Sequence, residues 1–217
     1  MAFFGYKNIG AMFKSSASEL KSTRCLATTG VLCALHIAIE TLTKIELPGG
    51  ISINFAFIGL FSIAMLYGPV VAMLAAVPCD IFPVILRGRE LIPVFTLIAI
   101  STGLIYGLIA YGVRFGKYGG DSGGGSFSFA VFRARFNSYR GEYLRVILAH
   151  VAVVIIVFAC FNTIAAYIYG FAKVTFWTYF WVRVGKQIVE LPFDLLLLFV
   201  VCPVVSRVYE RIQPRRA

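Results

Sequence analysis

The sequence predicts an all-helical integral membrane protein with six transmembrane helices and both termini in the cytoplasm. Of its 217 residues, 59% are hydrophobic and 14% are charged, whereas about 25% of an ordinary soluble domain is charged. A mean hydropathy of +0.85 supports the same conclusion. The core of one soluble domain cannot bury so much apolar surface, but a lipid bilayer can solvate it. Helices suit the bilayer because they satisfy their own backbone hydrogen bonds. Each crossing needs about 20 apolar residues, so the length accommodates about six.

Six apolar stretches are the predicted spans, and only a tight turn at Gly68 and Pro69 separates the second from the third. The spans cover residues 25–43, 51–67, 69–86, 91–113, 144–170 and 180–208. The predicted domain organisation is a cytoplasmic amphipathic segment at 1–24, a six-helix membrane domain at 25–212 and a basic tail at 213–217. Within the membrane domain, residues 112–143 are predicted to form a flexible cytoplasmic loop, because they include GGDSGGGSFS.

The distribution of lysine and arginine predicts the orientation. Four basic residues lie in the first 24 residues, six lie in or beside the long loop, and four lie at the C-terminal end, in residues 207–217. The opposite side receives only the other six of the 20. The positive-inside rule therefore places both termini in the cytoplasm. The net charge of +10 is thus explained by topology and by contact with the lipid bilayer, and we expect no nucleic-acid partner.

The sequence lacks the common motifs of catalysis and metal binding. It contains no phosphate loop of the G-x-x-x-x-G-K-[ST] type, no H-E-x-x-H, no G-x-S-x-G and no C-x-x-C. We therefore expect no enzymatic activity, no metal site and no cofactor. Any ATP needed for uphill transport would be hydrolysed by another protein.

The first span has two opposite faces. His36 and Glu40 lie one helical turn apart, whereas Gly30, Ala34 and Ala38 form a row of small residues with a spacing of four. At about 100° per residue the two rows point in nearly opposite directions. His36 and Glu40 are predicted to face the bundle interior. The small residues either pack within this protein or allow another helix to approach closely.

Asp80 lies near the middle of the third span, between Pro78 and Pro83. Inserting an ionisable side chain at this depth costs about 2.5–3.5 kcal/mol, so such a residue is expected to have a bonding partner or a functional role. Asp80 either binds a donor group of a ligand or pairs with His36 or a hydroxyl. We favour the structural role.

A polar stripe runs along the sixth span, at Arg183, Gln187, Glu190 and Asp194. Lys186 lies beside the stripe, four residues before Glu190, and the two charges can neutralise each other. Arg183 and Lys186 lie near the predicted outer surface, together with Arg87 and Arg89 at the end of the third span. Four cations around one opening favour an anionic ligand, although each cation singly also fits a lipid-headgroup anchor.

Aromatic residues are dense in the same part of the chain. They include Phe161, Tyr167, Tyr169, Phe176, Trp177, Tyr179, Phe180 and Trp181. Most of them fit the aromatic belt at the membrane interface. A minority are predicted to stack on a flat ring, which suits a ligand with a heterocycle at one end and charge at the other.

Several segments together resemble a known family. Residues 161–194, FNTIAAYIYGFAKVTFWTYFWVRVGKQIVELPFD, contain the succession N-T, Y-G, R-x-x-K-Q and P. GISINFAFIGLFSIAMLYGPV at 49–70, Asp80, FTLIAISTGLIYG at 95–107 and the small-residue row of the first span support it. In these segments the chain resembles the substrate-binding S components of energy-coupling factor (ECF) vitamin transporters, particularly the folate-specific branch. It departs from that branch at 164–166, where Ile-Ala-Ala follows Asn-Thr.

The resemblance implies a six-helix fold that binds folate or a related vitamin near the extracellular face. From the clustering of cations and the R-x-x-K-Q segment, we expect Arg183 and Lys186, together with Arg87, to face the glutamate carboxylates of folate. Asn162 and Asp80 are expected to read the edge of the pterin ring. Trp177 or Phe161 is expected to stack on that ring.

The resemblance also implies partners. The Ala-x-x-x-Ala signature of the family falls on Ala34 and Ala38, with Gly30 in the same row. This row is expected to dock on a membrane coupling subunit, which two cytoplasmic ATPases drive. Two alternatives stay open: an S component for another vitamin or precursor, such as riboflavin or a pyrimidine, and a membrane enzyme acting on a lipid or isoprenoid phosphate.

Overall fold

A computed structural model of the chain describes residues 8–43, 45–47, 51–53, 55–115, 139–171 and 174–212. The helices are α1 Ile9–Glu19, α2 Thr23–Thr43, α3 Phe57–Tyr67, α4 Pro69–Leu86, α5 Pro93–Ala110, α6 Arg140–Val153, a π-helix Val154–Asn162, α7 Thr163–Ile168 and α8 Phe176–Ile212. Two short strands, β1 Ile45–Leu47 and β2 Ile51–Ile53, pair antiparallel between α2 and α3.

Five helical stretches in the described residues are long and apolar enough to cross a membrane. They are Thr23–Leu42, Pro69–Leu86, Pro93–Ala110, Arg140–Ile168 and Phe176–Arg211. The fourth stretch combines α6, the π-helix and α7 into one continuous run. Phe57–Tyr67 is a shorter apolar helix. The prediction of a helical membrane protein is therefore confirmed at the level of five candidate spans and one shorter helix.

The second predicted span, 51–67, differs most from the structure. Its first residues pair as strand β2, and the helix begins only at Phe57. The resulting helix of 11 residues is about 17 Å long, compared with about 30 Å for the hydrocarbon core of a bilayer. Every residue from Ile58 to Tyr67 is buried, so α3 is the central helix of the bundle. A short apolar run with β-branched residues does not distinguish strand from helix by hydropathy.

The tight turn expected at Gly68 and Pro69 joins α3 to α4. Gly68 has a φ of +84°, a conformation that glycine adopts without a steric penalty. The hydroxyl of Ser16 donates to the Tyr67 carbonyl (2.7 Å) and accepts from the Val70 N–H (3.0 Å). These bonds fasten α1 to this end of the bundle.

Two glycines bring α5 against the backbone of α4. A Cβ atom placed on Gly107 would lie 2.3 Å from Cα of Pro69, and one on Gly103 would lie 2.7 Å from the carbonyl oxygen of Ala72. Neither position therefore has room for a side chain. The Gly-x-x-x-Gly spacing is typical of closely packed membrane helices. This contact fixes the relative position of two helices that border the cavity described below.

The remaining boundaries differ by a few residues or fall outside the described residues. Helix α6 begins at Arg140, so the end of the predicted loop 112–143 is helical. The Gly-rich centre of that loop and the predicted tail 213–217 lie outside the described residues. Within the predicted segment 1–24, α1 forms a helix of 11 residues.

Candidate ligand-binding cavity

A cavity of about 280 Å³ lies between α2, α3, α4, α5, α8 and the stretch formed by α6 and the π-helix. Its polar lining consists of His36, Glu40, Asp80, Thr102, His150, Asn162, Arg183, Lys186, Gln187, Glu190 and Asp194. Glu40 lies near the end of α2 and Phe95 lies near the start of α5. The cavity is therefore near the end of the bundle that is opposite α1 and the Gly68 turn.

Four of the seven predicted ligand-contacting residues line this cavity. They are Asp80, Asn162, Arg183 and Lys186. They come from α4, the π-helix and α8, so the fold brings together side chains that the sequence separates widely. Their contact with a ligand stays a prediction.

Arg87 lies behind the cavity wall. Its Nη1 atom is 3.8 Å from Oε1 of Glu40, and its Nη2 atom donates to the Glu40 backbone carbonyl. Glu40 itself lines the cavity and is also 3.5 Å from Nε2 of His36. Arg87 thus acts on the cavity through the charge of Glu40.

The two predicted stacking residues point elsewhere. Trp177 is 64% exposed and Phe161 is 49% exposed, and neither side chain is part of the cavity lining. The aromatic rings in the lining are those of Phe57, Phe95 and Phe158. Aromatic density along the chain predicted rings near the cavity, but it did not indicate which face of each helix they occupy.

Arg183 carries a charge that no described carboxylate neutralises. Its Nη1 atom donates to the Asn162 carbonyl and to the Tyr179 hydroxyl, both at 3.3 Å. Its guanidinium carbon lies 5.3 Å from the centre of the Tyr179 ring. By contrast, Lys186 pairs with Glu190 at 3.1 Å, as the spacing predicted. Arg183 is therefore oriented by neutral groups, and its charge can interact with an anion in the cavity.

Asp80 has the hydroxyl partner that the structural interpretation predicted. The Thr96 hydroxyl on α5 donates to Oδ2 of Asp80 at 2.7 Å. Asp80 also lines the cavity, so the bond to Thr96 leaves the ligand-binding interpretation open.

Three buried polar atoms around the cavity have no hydrogen-bond partner in the described part of the chain. They are His36 Nδ1, Gln187 Oε1 and Glu190 Oε1. A buried polar atom without a partner costs about 1–3 kcal/mol. These three atoms are available to bond with a ligand or with water in the cavity.

His150 is a cavity residue that the sequence analysis missed. Its Nδ1 atom is 3.0 Å from the Tyr106 hydroxyl, and its Nε2 atom is 3.3 Å from Oδ2 of Asp194. The sequence did contain a signal, because a histidine within an apolar span is by default a candidate functional residue. The same criterion identified His36.

The π-helix keeps one row of side chains facing the cavity. His150, Val154, Phe158 and Asn162 are spaced by four residues, and all of them line it. In an α-helix each such step overshoots a full turn by about 40°, so the row would drift by about 120° from His150 to Asn162. The i→i+5 bonding of a π-helix gives more residues per turn, so its drift runs the other way. The π-helix thereby brings Asn162 onto the same face as His150.

The small-residue row of α2 lies outside the bundle. Gly30, Ala34 and Ala38 are exposed, whereas His36 is buried on the opposite face. A Cβ atom on Gly30 would meet nothing within 4 Å. Of the two interpretations of this row, packing within the described part of the chain is therefore wrong.

Metal binding has no support in the described residues, where no group of three or more His, Cys, Asp and Glu side chains is arranged to hold an ion. The chemistry that the cavity offers is ion pairing, hydrogen bonding and ring contact.

These features define a multi-pass helical membrane protein with a cavity lined by polar and charged side chains. The sequence profile of the S component of the ECF-type riboflavin transporter matches residues 20–190. The chain belongs to this family of transporter S components, as its sequence motifs predicted, and is therefore a transporter component and not an enzyme.

Further comparisons address the fold. No curated protein sequence matches the chain. The crystal structure of FolT bound with folic acid is similar, with a TM-score of 0.61 and 22% sequence identity over 82% of this chain and 91% of that chain. At this identity the likeness establishes a shared fold.

Proposed function

We propose that this chain is the substrate-binding S component of an ECF-type importer, which binds folate at the extracellular side and passes it to an ATP-driven coupling module. The observation that carries the ligand class is Arg183, a cavity-lining cation without a carboxylate partner among the described residues. The rings of Phe57, Phe95 and Phe158 line the same cavity. A vitamin with a flat heterocycle and a negatively charged tail complements both features.

The charged tail of the ligand is assigned to the start of α8. Arg183 and Lys186 face the glutamate carboxylates, and Lys186 exchanges part of its interaction with Glu190 for the ligand. Arg87 contributes by neutralising Glu40, which would otherwise repel an anion in the cavity.

The heterocycle is assigned to the side chains across the cavity. Asp80 reads the edge of the pterin ring, and Phe95 and Phe158 contact its face. These two rings take the stacking role that the sequence analysis gave to Trp177 and Phe161, because they line the cavity. Asn162, whose backbone carbonyl accepts from Arg183, is assigned to the charged end of the ligand instead.

Six membrane crossings with both termini in the cytoplasm remain our proposal for the topology. The five long helical stretches and the shorter α3 together make six elements. The bundle end that carries α1 is then cytoplasmic, which places the cavity near the extracellular side. The proposal keeps the division into segment 1–24, membrane domain 25–212 and tail 213–217.

Riboflavin is the second candidate ligand, because the matching family is that of the riboflavin transporter S component. Riboflavin also has a flat ring system, but it has no carboxylate to pair with Arg183. Arg183, as a cation without a carboxylate partner among the described residues, therefore favours folate, whereas family membership by itself favours riboflavin.

A thermal-shift comparison of purified protein with folate, riboflavin and a pyrimidine tests the ligand. A ligand at 100 times its Kd stabilises the native state by about 2.7 kcal/mol, which raises the unfolding midpoint by roughly 5–10 °C for a chain of this size. We expect the largest shift with folate. A shift with riboflavin alone would contradict the folate proposal and would support a riboflavin-binding S component.

A coupling partner is assigned to the small-residue row of α2. Gly30, Ala34 and Ala38 face outward, and a row of small residues lets a partner helix approach closely. We propose that this row docks on the membrane subunit of an ECF module with two cytoplasmic ATPases. Family membership supports such a module.

Changing Ala34 to Trp is expected to reduce vitamin uptake at least about tenfold in cells that contain the module, because the indole blocks close helix contact. Binding by the purified variant should be unchanged, since Ala34 lies opposite His36. Leu97→Trp is the control, because Leu97 is 62% exposed on α5 and lies outside the proposed docking row. Normal uptake by the Ala34 variant would remove this face from the interface.

A further inference from the structure

Three buried side chains form a hydrogen-bonded chain at the inner end of the cavity. Tyr106, His150 and Asp194 are 0%, 1% and 8% exposed. The Tyr106 hydroxyl lies 3.0 Å from Nδ1 of His150, and Nε2 of His150 lies 3.3 Å from Oδ2 of Asp194. His150 and Asp194 both line the cavity.

A neutral imidazole at His150 is compatible with both hydrogen bonds of this chain. If Nε2 of His150 donates to Asp194, Nδ1 is left to accept from the Tyr106 hydroxyl, so a neutral imidazole completes both bonds. Two rings restrict the imidazole further. The Tyr106 ring is nearly parallel to it, at 6°, and the Phe57 ring lies 4.9 Å away. His150 is therefore held in place and orients the carboxylate of Asp194.

Asp194 keeps unused acceptor capacity toward the cavity. Its Oδ2 atom is bonded to His150, but Oδ1 has no hydrogen-bond partner in the described part of the chain. A carboxylate at membrane depth needs more compensation than one imidazole N–H supplies. Each carboxylate oxygen accepts about two hydrogen bonds, so a donor on a ligand can complete the bonding.

We propose that Asp194, oriented by His150, recognises the heterocyclic end of the ligand by accepting hydrogen bonds from its amino group and the adjacent ring N–H. Two parallel donors on a planar edge match the two oxygens of a carboxylate. Asp194 follows Arg183 by 11 residues on α8, about 16 Å along the helix. The two residues thus contact opposite ends of an elongated ligand, one with an acceptor and the other with a cation. This inference rests on the proposed function.

The experiment compares two ligands, folic acid and its analogue with a methyl group in place of the 2-amino group. Wild-type protein is expected to bind folic acid roughly 10- to 150-fold more tightly, which is the range for hydrogen bonds to a charged group. Asp194→Asn, which presents a donor as well as an acceptor, is expected to lose most of this preference. Isothermal titration of the purified proteins measures all four affinities.

Glu210→Gln is the matched control, because Glu210 is an acidic residue of the same helix as Asp194 and lies outside the cavity lining. We expect this variant to keep most of the preference for the amino group. If Asp80→Asn loses it and Asp194→Asn keeps it, the ring is read by Asp80 and the inference is overturned. If wild-type protein binds neither ligand, the proposed function itself fails, which is a different outcome.

The role of His150 is tested by rescue. His150→Gln retains a side-chain N–H that can reach Asp194, and is expected to keep a measurable preference for folic acid. His150→Leu removes the N–H donor to Asp194 and is expected to abolish the preference for folic acid. A purely structural role predicts instead that both variants weaken both ligands equally and lower the unfolding midpoint without ligand, and that result would contradict the positioning role.

Discussion

Replacement of Arg183 by alanine is expected to weaken folate binding by roughly 30- to 5,000-fold. The range corresponds to about 2–5 kcal/mol, the usual cost of removing one partner of a desolvated charge pair. Arg183 is a strong candidate because its described partners are the neutral groups of Asn162 and Tyr179. Its charge is therefore available to the ligand without the loss of an internal ion pair.

The measurement is a titration with two ligands, folate and a neutral pterin that lacks the glutamate tail. Arg183→Ala should reduce the affinity for folate and leave the affinity for the neutral pterin nearly unchanged. The folate affinity of Arg183→Lys should lie between those of the wild-type protein and Arg183→Ala, since lysine keeps the charge but lacks the planar fork of the guanidinium. Arg211→Ala, an exposed position at the far end of the same helix, should bind folate normally. Equal losses for both ligands would indicate that Arg183 only shapes the cavity.

Hydropathy and turn chemistry predicted most of the helical framework. The third span is an example, because Gly68 and Pro69 mark its start and the observed α4 covers the predicted residues 69–86. The strand β2 was not predictable in this way, since Ile-Ser-Ile is as apolar as the helix that follows it. Pairing with β1 is a tertiary interaction, and it overrides the local apolar pattern.

The site was predictable where a charge stands out against an apolar background. Asp80, Arg183 and Lys186 are such residues, and all three line the cavity. The contribution of Asn162 depends on the π-helix, whose i→i+5 bonding changes which face a residue occupies. Hydropathy does not encode that change. The exposure of Trp177 could not be read from the sequence either, because the dense aromatic residues around it do not indicate which face of α8 points into the bundle.

A single methyl group on Gly107 is expected to destabilise the protein strongly. The added Cβ would lie 2.3 Å from Cα and 2.6 Å from N of Pro69, and these are backbone atoms at the start of α4. A flexible side chain would rotate away, but here the two helices have to separate. Overpacking in cores costs typically about 1–3 kcal/mol, and we place this contact with backbone at the upper end.

Gly107→Ala is therefore expected to lower the free energy of unfolding by about 3 kcal/mol. For chains of this size each kcal/mol lowers the unfolding midpoint by about 2–4 °C, so the midpoint in detergent should fall by roughly 6–12 °C. Gly185→Ala is the matched control, because the same methyl on α8 would meet nothing within 4 Å. It should be neutral or slightly stabilising, since alanine is favoured over glycine in a helix by about 1 kcal/mol. The separation of α5 from α4 should also stretch the bond from Thr96 to Asp80, so folate affinity should fall in the first variant alone. Equal midpoints for the two variants would show that the α4–α5 contact is looser than described.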